Sequence, residues 1–164
     1  MEEEYKKLAE RNGWTYSVSD NRPYFMKNGN YAVPGENTYQ EDKEFLASII
    51  SEGSIEMARL IVTCWNNNIG VKGPCSGIEE YHDKHPFALH FTFVAGKDVI
   101  EPLVQNIQSL FPNFNYLCRE QGDKIRFDIN YVLENKTLTV EESDAIFRIF
   151  REQLELIIGN NKSY

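Results

Sequence analysis

Residues 57–94 read MARLIVTCWNNNIGVKGPCSGIEEYHDKHPFALHFTFV, and this stretch decides the fold because it holds a buried helix and the best strand of the chain. The helix, from Ile55 to about Asn67, is apolar nearly all round, which predicts a central helix covered on several sides. A short strand ending at Cys75 follows it. Residues 87–94 then alternate as a strand does, with Phe87, Leu89, Phe91 and Phe93 on one face.

The elements around this stretch complete one domain. Thr38 and Glu41 have the spacing of a capping box and predict a helix to about Ile50, while Ser54 caps the helix that follows. Helical spacing predicts further helices at 96–110 and 139–158, and Thr139 and Glu142 have the spacing of a second capping box at the start of the latter. A hairpin lies between these helices at 114–133. The order is ββα-ββα, so we expect the α+β class: a mostly antiparallel sheet of four or more strands with helices packed on one face.

Residues 1–36 differ in character from the body of the chain at 37–164. A charged helix at 2–11 is followed by an aromatic β-ribbon with turns at 20–23 and at Asn28-Gly29. A ribbon of two or three strands is only marginally stable alone, so it must pack on the main body or on a partner. We expect packing on the body of a single domain. The alternative is an exposed recognition surface formed by Trp14, Tyr16, Tyr24 and Tyr31.

The charge balance limits the partners. The formal net charge is −8, with 25 acidic and 17 basic residues. Direct binding to nucleic acid or to an anionic membrane needs a basic surface, so neither is expected, whereas a basic protein partner is compatible. The N-terminus lacks the pattern of a secretory signal, and no apolar run approaches a membrane span. Three cysteines at irregular spacing form no disulfide framework, which favours the cytoplasm.

Cys75 is the candidate nucleophile. It lies in a Gly-Pro-Cys-Ser-Gly turn, and a thiol nucleophile needs a pKa lowered by a neighbouring histidine or a helix N-terminus. A hairpin between the strand of Cys75 and residues 87–94 brings His85 or His90 towards the thiol. The alternative is that Cys75 ends an edge strand and its neighbours only form the turn.

A zinc site is the second candidate chemistry, and Cys75, His82 and His85 are its candidate ligands. Structural zinc sites carry two ligand pairs, each separated by two to four residues. This chain has one such pair, His82 and His85. The default expectation is therefore a protein without a cofactor, in which these histidines are solvated loop residues.

A non-enzymatic binding protein is the function that these observations favour. No phosphate-binding glycine loop, nucleophile elbow or nucleic-acid signature is present in the sequence. High Asn, Lys, Ile and Tyr usage is typical of bacterial or phage genes, and residues 64–77 resemble a segment of small phage and low-GC bacterial proteins. One version is an acidic phage or mobile-element inhibitor of a basic nucleic-acid-binding protein. The rival is a thiol-dependent or metal-assisted enzyme centred on Cys75, His82, His85 and His90. A third interpretation is a homodimer that uses the apolar helix Ile55–Asn67.

Overall fold

Twelve helices and strands make up the residues that the computed structural model describes, namely 1–78, 89–132 and 137–161. In chain order they are α1 (Glu2–Asn12), β1 (Thr15–Ser19), β2 (Arg22–Lys27), β3 (Asn30–Tyr31), α2 (Gln40–Ile50), α3 (Ile55–Asn66), β4 (Gly70–Cys75), β5 (Leu89–Ala95), α4 (Lys97–Leu110), β6 (Asn115–Gln121), β7 (Lys124–Tyr131) and α5 (Val140–Asn161). None of these helices combines the length and the apolarity that a membrane span requires.

The main sheet has four antiparallel strands in the order β4-β5-β7-β6. Its helix-facing side carries apolar residues at alternate positions, which pack with α3, α4 and α5 in one core. The most deeply buried of these strand residues are Leu89, Phe91, Phe93, Phe127 and Ile129. The predicted α+β class is confirmed, and so is the antiparallel sheet with helices on one face.

Helix α3 is the centre of the packing because both α2 and α5 lie against it. Its buried face consists of Met57, Leu60, Ile61 and Cys64, all fully inaccessible to solvent. The predicted cap is confirmed, since Ser54 Oγ accepts a hydrogen bond from the Met57 N–H.

The two predicted capping boxes have different outcomes. At α5 the box is confirmed, because the Thr139 N–H donates to Glu142 and the Glu142 N–H donates to Thr139 Oγ1. At α2 the prediction was wrong. Helix α2 begins after Tyr39 without a side-chain cap, and Thr38 Oγ1 instead accepts from the Gly35 N–H in the preceding turn.

The N-terminal ribbon forms a second sheet, β1-β2-β3, with a small core of its own. Two-residue turns join its strands, and both turns have positive φ at both positions: Asp20-Asn21 and Asn28-Gly29. The turn predicted at 20–23 is therefore shorter than expected, and Arg22 and Pro23 belong to β2. Trp14 and Phe25 are buried against α1 and α2, so the ribbon packs on the rest of the chain as predicted.

Candidate functional site

We call the side of the main sheet opposite the helices the open face; at its centre the side chains of Thr92, Val94 and Asp128 are buried, and the exposed residues surround them. The register of the strands defines it, because directly paired residues point to the same side of a sheet. Its described residues are Gly70, Lys72, Cys75, His90, Thr92, Val94, Asn115, Leu117, Arg119, Gln121, Lys124, Arg126, Asp128 and Asn130. Four of these side chains are Lys or Arg, and Asp128 is the one carboxylate among them. The open face is thus locally basic in a chain of net charge −8.

Asp128 organises the centre of the open face. Thr92 Oγ1 donates a 2.6 Å hydrogen bond to it, and Arg126 Nε lies 3.1 and 3.2 Å from its two oxygens. Arg119 Nη2 adds a contact of 3.4 Å. Burial alone raises the pKa of Asp128, but the hydrogen bonds from Thr92 and Arg126 and the two guanidinium charges outweigh burial, and the net pKa is lowered. Asp128 is therefore a charged carboxylate that fixes the positions of two arginines.

His90 lies beside this carboxylate on β5. Its Nδ1 is 2.6 Å from the carbonyl oxygen of Gly73, which can only accept, so the Nδ1–H donates. Its Nε2 then faces Asp128 Oδ1 at 4.0 Å. Opposite His90 in the register is Asn130, whose Oδ1 is buried and has no hydrogen-bond partner within the described structure. His90 thus extends the polar centre of the open face to the end of β5.

Cys75 ends β4, and its Cα pairs with that of His90 across a β-bulge. The side chain is only 7% exposed. Burial raises the pKa of the Cys75 thiol to about 11, and the negative charge of nearby Glu52 adds to the effect. A thiol nucleophile needs the opposite shift, because the thiolate is the reactive form. The surroundings of Cys75 therefore favour an inert, protonated thiol.

The residues after Cys75 are tied into the core. The Ser76 N–H donates to Glu52 Oε1, and Ser76 Oγ donates to the Glu52 carbonyl. Ser143 Oγ at the start of α5 donates to the Ser76 carbonyl, and Ile78 forms a parallel bridge with Leu138. These bonds give the Gly-Pro-Cys-Ser-Gly turn an architectural role: it fastens the end of β4 to α5 and to the α2–α3 connection.

Two of the predicted site residues lie outside the described residues. These are His82 and His85, so the predicted catalytic set Cys75, His85 and His90 and the predicted zinc set Cys75, His82 and His85 both stay predictions. Within the described ranges, no group of three or more metal-binding side chains comes together.

The four aromatic residues predicted to bind a partner do not share one surface. Trp14 is buried in the N-terminal core, and Tyr16 is half-buried there beside Tyr5 and Phe25. Tyr24 and Tyr31 are on the other side of the ribbon, with ring centroids 6.3 Å apart, and Tyr31 is 70% exposed. Tyr24 is half-buried like Tyr16, so Tyr31 is the one of the four that is largely exposed, and their role in binding a partner stays a prediction.

The sequence reasoning missed Asp128, Arg126 and Thr92. Polar residues at every second position of β7, alternating with the apolar Ile125, Phe127 and Ile129, were the available signal.

Comparison with protein-family models, with curated proteins and with solved structures finds no match to this chain. The open face therefore has to be interpreted from its own chemistry.

Proposed function

We propose that this protein acts by binding another protein, and that the open face contacts an acidic segment of that partner. The observation that carries the proposal is the charge of the open face, four basic side chains against one carboxylate, in a chain with an excess of eight negative charges. Charge complementarity of this kind steers association and selects the partner.

The basic side chains near Asp128 are held in place before any partner arrives. Arg126 is hydrogen-bonded to both oxygens of Asp128, and Arg119 touches the same carboxylate. Ordering a flexible side chain on binding costs free energy, so arginines that are already ordered lose less. Arginine is also enriched in protein–protein interfaces. Both facts favour recognition over a purely solvated surface.

The size of the open face favours a segment of the partner. Strands lie about 4.8 Å apart and rise about 3.3 Å per residue, so four strands of about seven residues cover roughly 19 by 23 Å. That area is about half of what one partner buries in a standard interface, roughly 800 Å². An extended chain or a single helix fits it, whereas a whole domain needs additional surface.

Other partner classes fit less well. Single-stranded nucleic acid is normally bound by several aromatic side chains that stack on successive bases, and the described open face carries no Phe, Tyr or Trp. A basic partner, which the overall composition predicts, meets repulsion at this face and must bind elsewhere. That this protein inhibits a basic nucleic-acid-binding protein thus stays a hypothesis, and the lysine-rich peptide in the experiment below tests it.

Three labelled probes distinguish these partners: a glutamate-rich peptide, a lysine-rich peptide and an oligothymidylate. We expect the glutamate-rich peptide to bind, and its affinity to fall as salt is added. The double variant Lys72→Glu/Arg119→Glu should weaken that binding about tenfold or more. The control Lys6→Glu/Lys97→Glu changes the net charge equally at two exposed helix positions and should have little effect.

Two results would overturn the open-face proposal. One is binding of the lysine-rich peptide or the oligothymidylate alone. The other is equal weakening by the two double variants, since net charge and not the open face would then govern binding.

A further inference from the structure

Strand β6 is an edge of the main sheet, and no other described strand pairs with its outer side. Its register with β7 runs unbroken from Asn115 to Gln121, without a bulge or a proline. The opposite edge, β4, is interrupted by a bulge and contains Gly73 and Pro74. Natural proteins usually protect edge strands with such interruptions, because a regular edge is a template for pairing with another chain. Strand β6 has no such interruption, and the charged side chains of Arg119 and Glu120 are the edge protection that it carries.

The helices leave the second half of β6 uncovered. Cys118 and Glu120 point to the helix side of the sheet, since their register partners are Phe127 and Ile125, yet both are exposed. On the open face, Leu117 is 51% exposed. A neighbouring strand therefore meets none of the described helices along this half of β6, and the exposed side chain of Leu117 is available to pack against it.

We propose that β6 pairs antiparallel with β6 of a second copy of this chain, which gives a continuous eight-stranded sheet. A twofold axis normal to the sheet keeps both open faces on the same side. Directly opposite residues of an antiparallel pair point to one face, so this axis must pass through a residue and not between two. The sequence of β6 then selects the residue.

The axis passes through Cys118. This register pairs all seven residues: Leu117 faces Arg119, Tyr116 faces Glu120 and Asn115 faces Gln121, without any pair of like charges. An axis at Arg119 places two guanidinium groups opposite each other. An axis at Leu117 leaves Glu120 and Gln121 unpaired. Only the Cys118 register uses the whole strand without repulsion.

This surface differs from the one that the sequence predicted for a homodimer. Helix α3 buries Met57, Leu60, Ile61 and Cys64 within the chain and packs against α2 and α5, although Ile55 at its start is 63% exposed. The β6 edge instead joins two open faces into one surface of roughly 38 by 23 Å, close to the area that one partner buries in a standard interface. The pairing is independent of the acidic-segment proposal and is tested without any ligand.

Mass in solution and cross-linking together test the pairing. We expect sedimentation equilibrium to show a concentration-dependent dimer. Diamide, which takes two electrons and two protons from a pair of thiols, should link two chains through Cys118, because paired strands hold opposite Cα atoms within disulfide reach. Cys118→Ser should abolish the link and keep the dimer, since Cys64 and Cys75 are buried.

Charge variants at Leu117 test the register. In Leu117→Lys the new ammonium group lies opposite Arg119 of the second copy, and the twofold axis repeats this like-charge pair, so the dimer dissociation constant should rise about fivefold or more. Leu117→Glu places opposite charges there and should lower the constant. Leu110→Lys is the matched control, with the same 51% exposure at the end of α4, and should leave the constant unchanged. A monomer at the highest soluble concentration, a dimer that diamide does not link at Cys118, or equal effects of Lys and Glu at Leu117 would overturn the proposal.

Discussion

Arg151 donates two hydrogen bonds, of 2.9 and 3.1 Å, to the buried carboxylate of Glu56, from which it is separated by 95 positions in the sequence. The pair joins α5 to the first turn of α3. Next to it, Ser54 Oγ and the Glu56 N–H both donate to Asp144 Oδ1, so the polar start of α3 depends on side chains of α5. The central helix is therefore held by charge as well as by apolar packing.

Replacing Glu56 by Gln should lower the free energy of unfolding by about 2 kcal/mol. The side chain is only 7% exposed, and its loss of charge leaves the buried side of Arg151 without its anion. Urea unfolding followed by circular dichroism measures the change. Glu101→Gln is the control, because that carboxylate is 62% exposed in a surface pair with Lys97 and should cost at most about 0.5 kcal/mol. Equal losses in the two variants would contradict the role of the buried pair.

The Glu56 contribution should disappear in acid. Burial alone raises the pKa of Glu56, but the Arg151 hydrogen bond and the charges of Arg151, Arg59 and Arg148 outweigh burial, and the net pKa is below the ordinary 4.5. A carboxyl with a lowered pKa stabilises the fold above its unfolded pKa, and this contribution is lost as the pH falls through the folded pKa. The stability gap between the wild type and Glu56→Gln should therefore be constant near neutral pH and shrink below 4.5. Urea titrations at several pH values measure it, and a constant gap would contradict the assignment.

The sequence predicts the helices and strands far better than it predicts which side chains pair with each other across the fold. Alternation in 87–94, of which 89–94 lie in β5, and the apolar sides of α3 and α5 predict the layers correctly, because burial imposes those periods directly. The cap of α2 was wrong, since Thr38 has the residue type of a cap but is used by the turn before the helix. Pairs such as Glu56 and Arg151 give no local signal, because their spacing depends on the tertiary fold.

The three thiols should differ strongly in reactivity. Cys64 and Cys75 are buried, and burial raises the pKa of both, to about 11 for Cys75; partial burial and the charge of Asp128 raise the pKa of Cys118 too, but its side chain is exposed to a reagent. At pH 8 a thiol of pKa 11 is about one part in a thousand thiolate, so its attack on a disulfide reagent is slow. Titration of the native protein with Ellman's reagent should show one fast thiol, and Cys118→Ser should remove it. A fast phase that Cys75→Ser removes would instead support the thiol enzyme.

The N-terminal aromatics should separate into structural and surface residues. Trp14 is 7% exposed in the N-terminal core, so Trp14→Ala should cost about 3 kcal/mol of unfolding free energy. Tyr31→Ala removes a side chain that is 70% exposed and should cost at most about 0.5 kcal/mol. Urea unfolding of both variants provides the comparison. A small loss for Trp14→Ala would show that the ribbon is not fastened through this residue.

The polar centre of the open face was harder to predict than the fold. Thr92, Arg126 and Asp128 are far apart in sequence or surrounded by apolar residues, and only the β5–β7 register brings them together. Glycine, proline and histidine concentrate around Cys75, and this composition is why the sequence predicted a site there. The structure explains the glycine at position 73, because Gly73 has a positive φ and lies against the ring of His90.

Gly73→Ala should disturb the β4 bulge and the histidine beside it. Its φ of +55° costs an L-residue about 1–2 kcal/mol, and a new Cβ would lie 2.9 Å from His90 Cε1. We expect a loss of about 2 kcal/mol in unfolding free energy, together with shifted NMR signals of the His90 ring as its bond to the Gly73 carbonyl changes. Gly35→Ala is the matched control, because no atom lies within 4 Å of its new Cβ and its φ is not positive. If both alanine variants unfold like the wild type and the His90 signals stay in place, the bulge does not constrain His90.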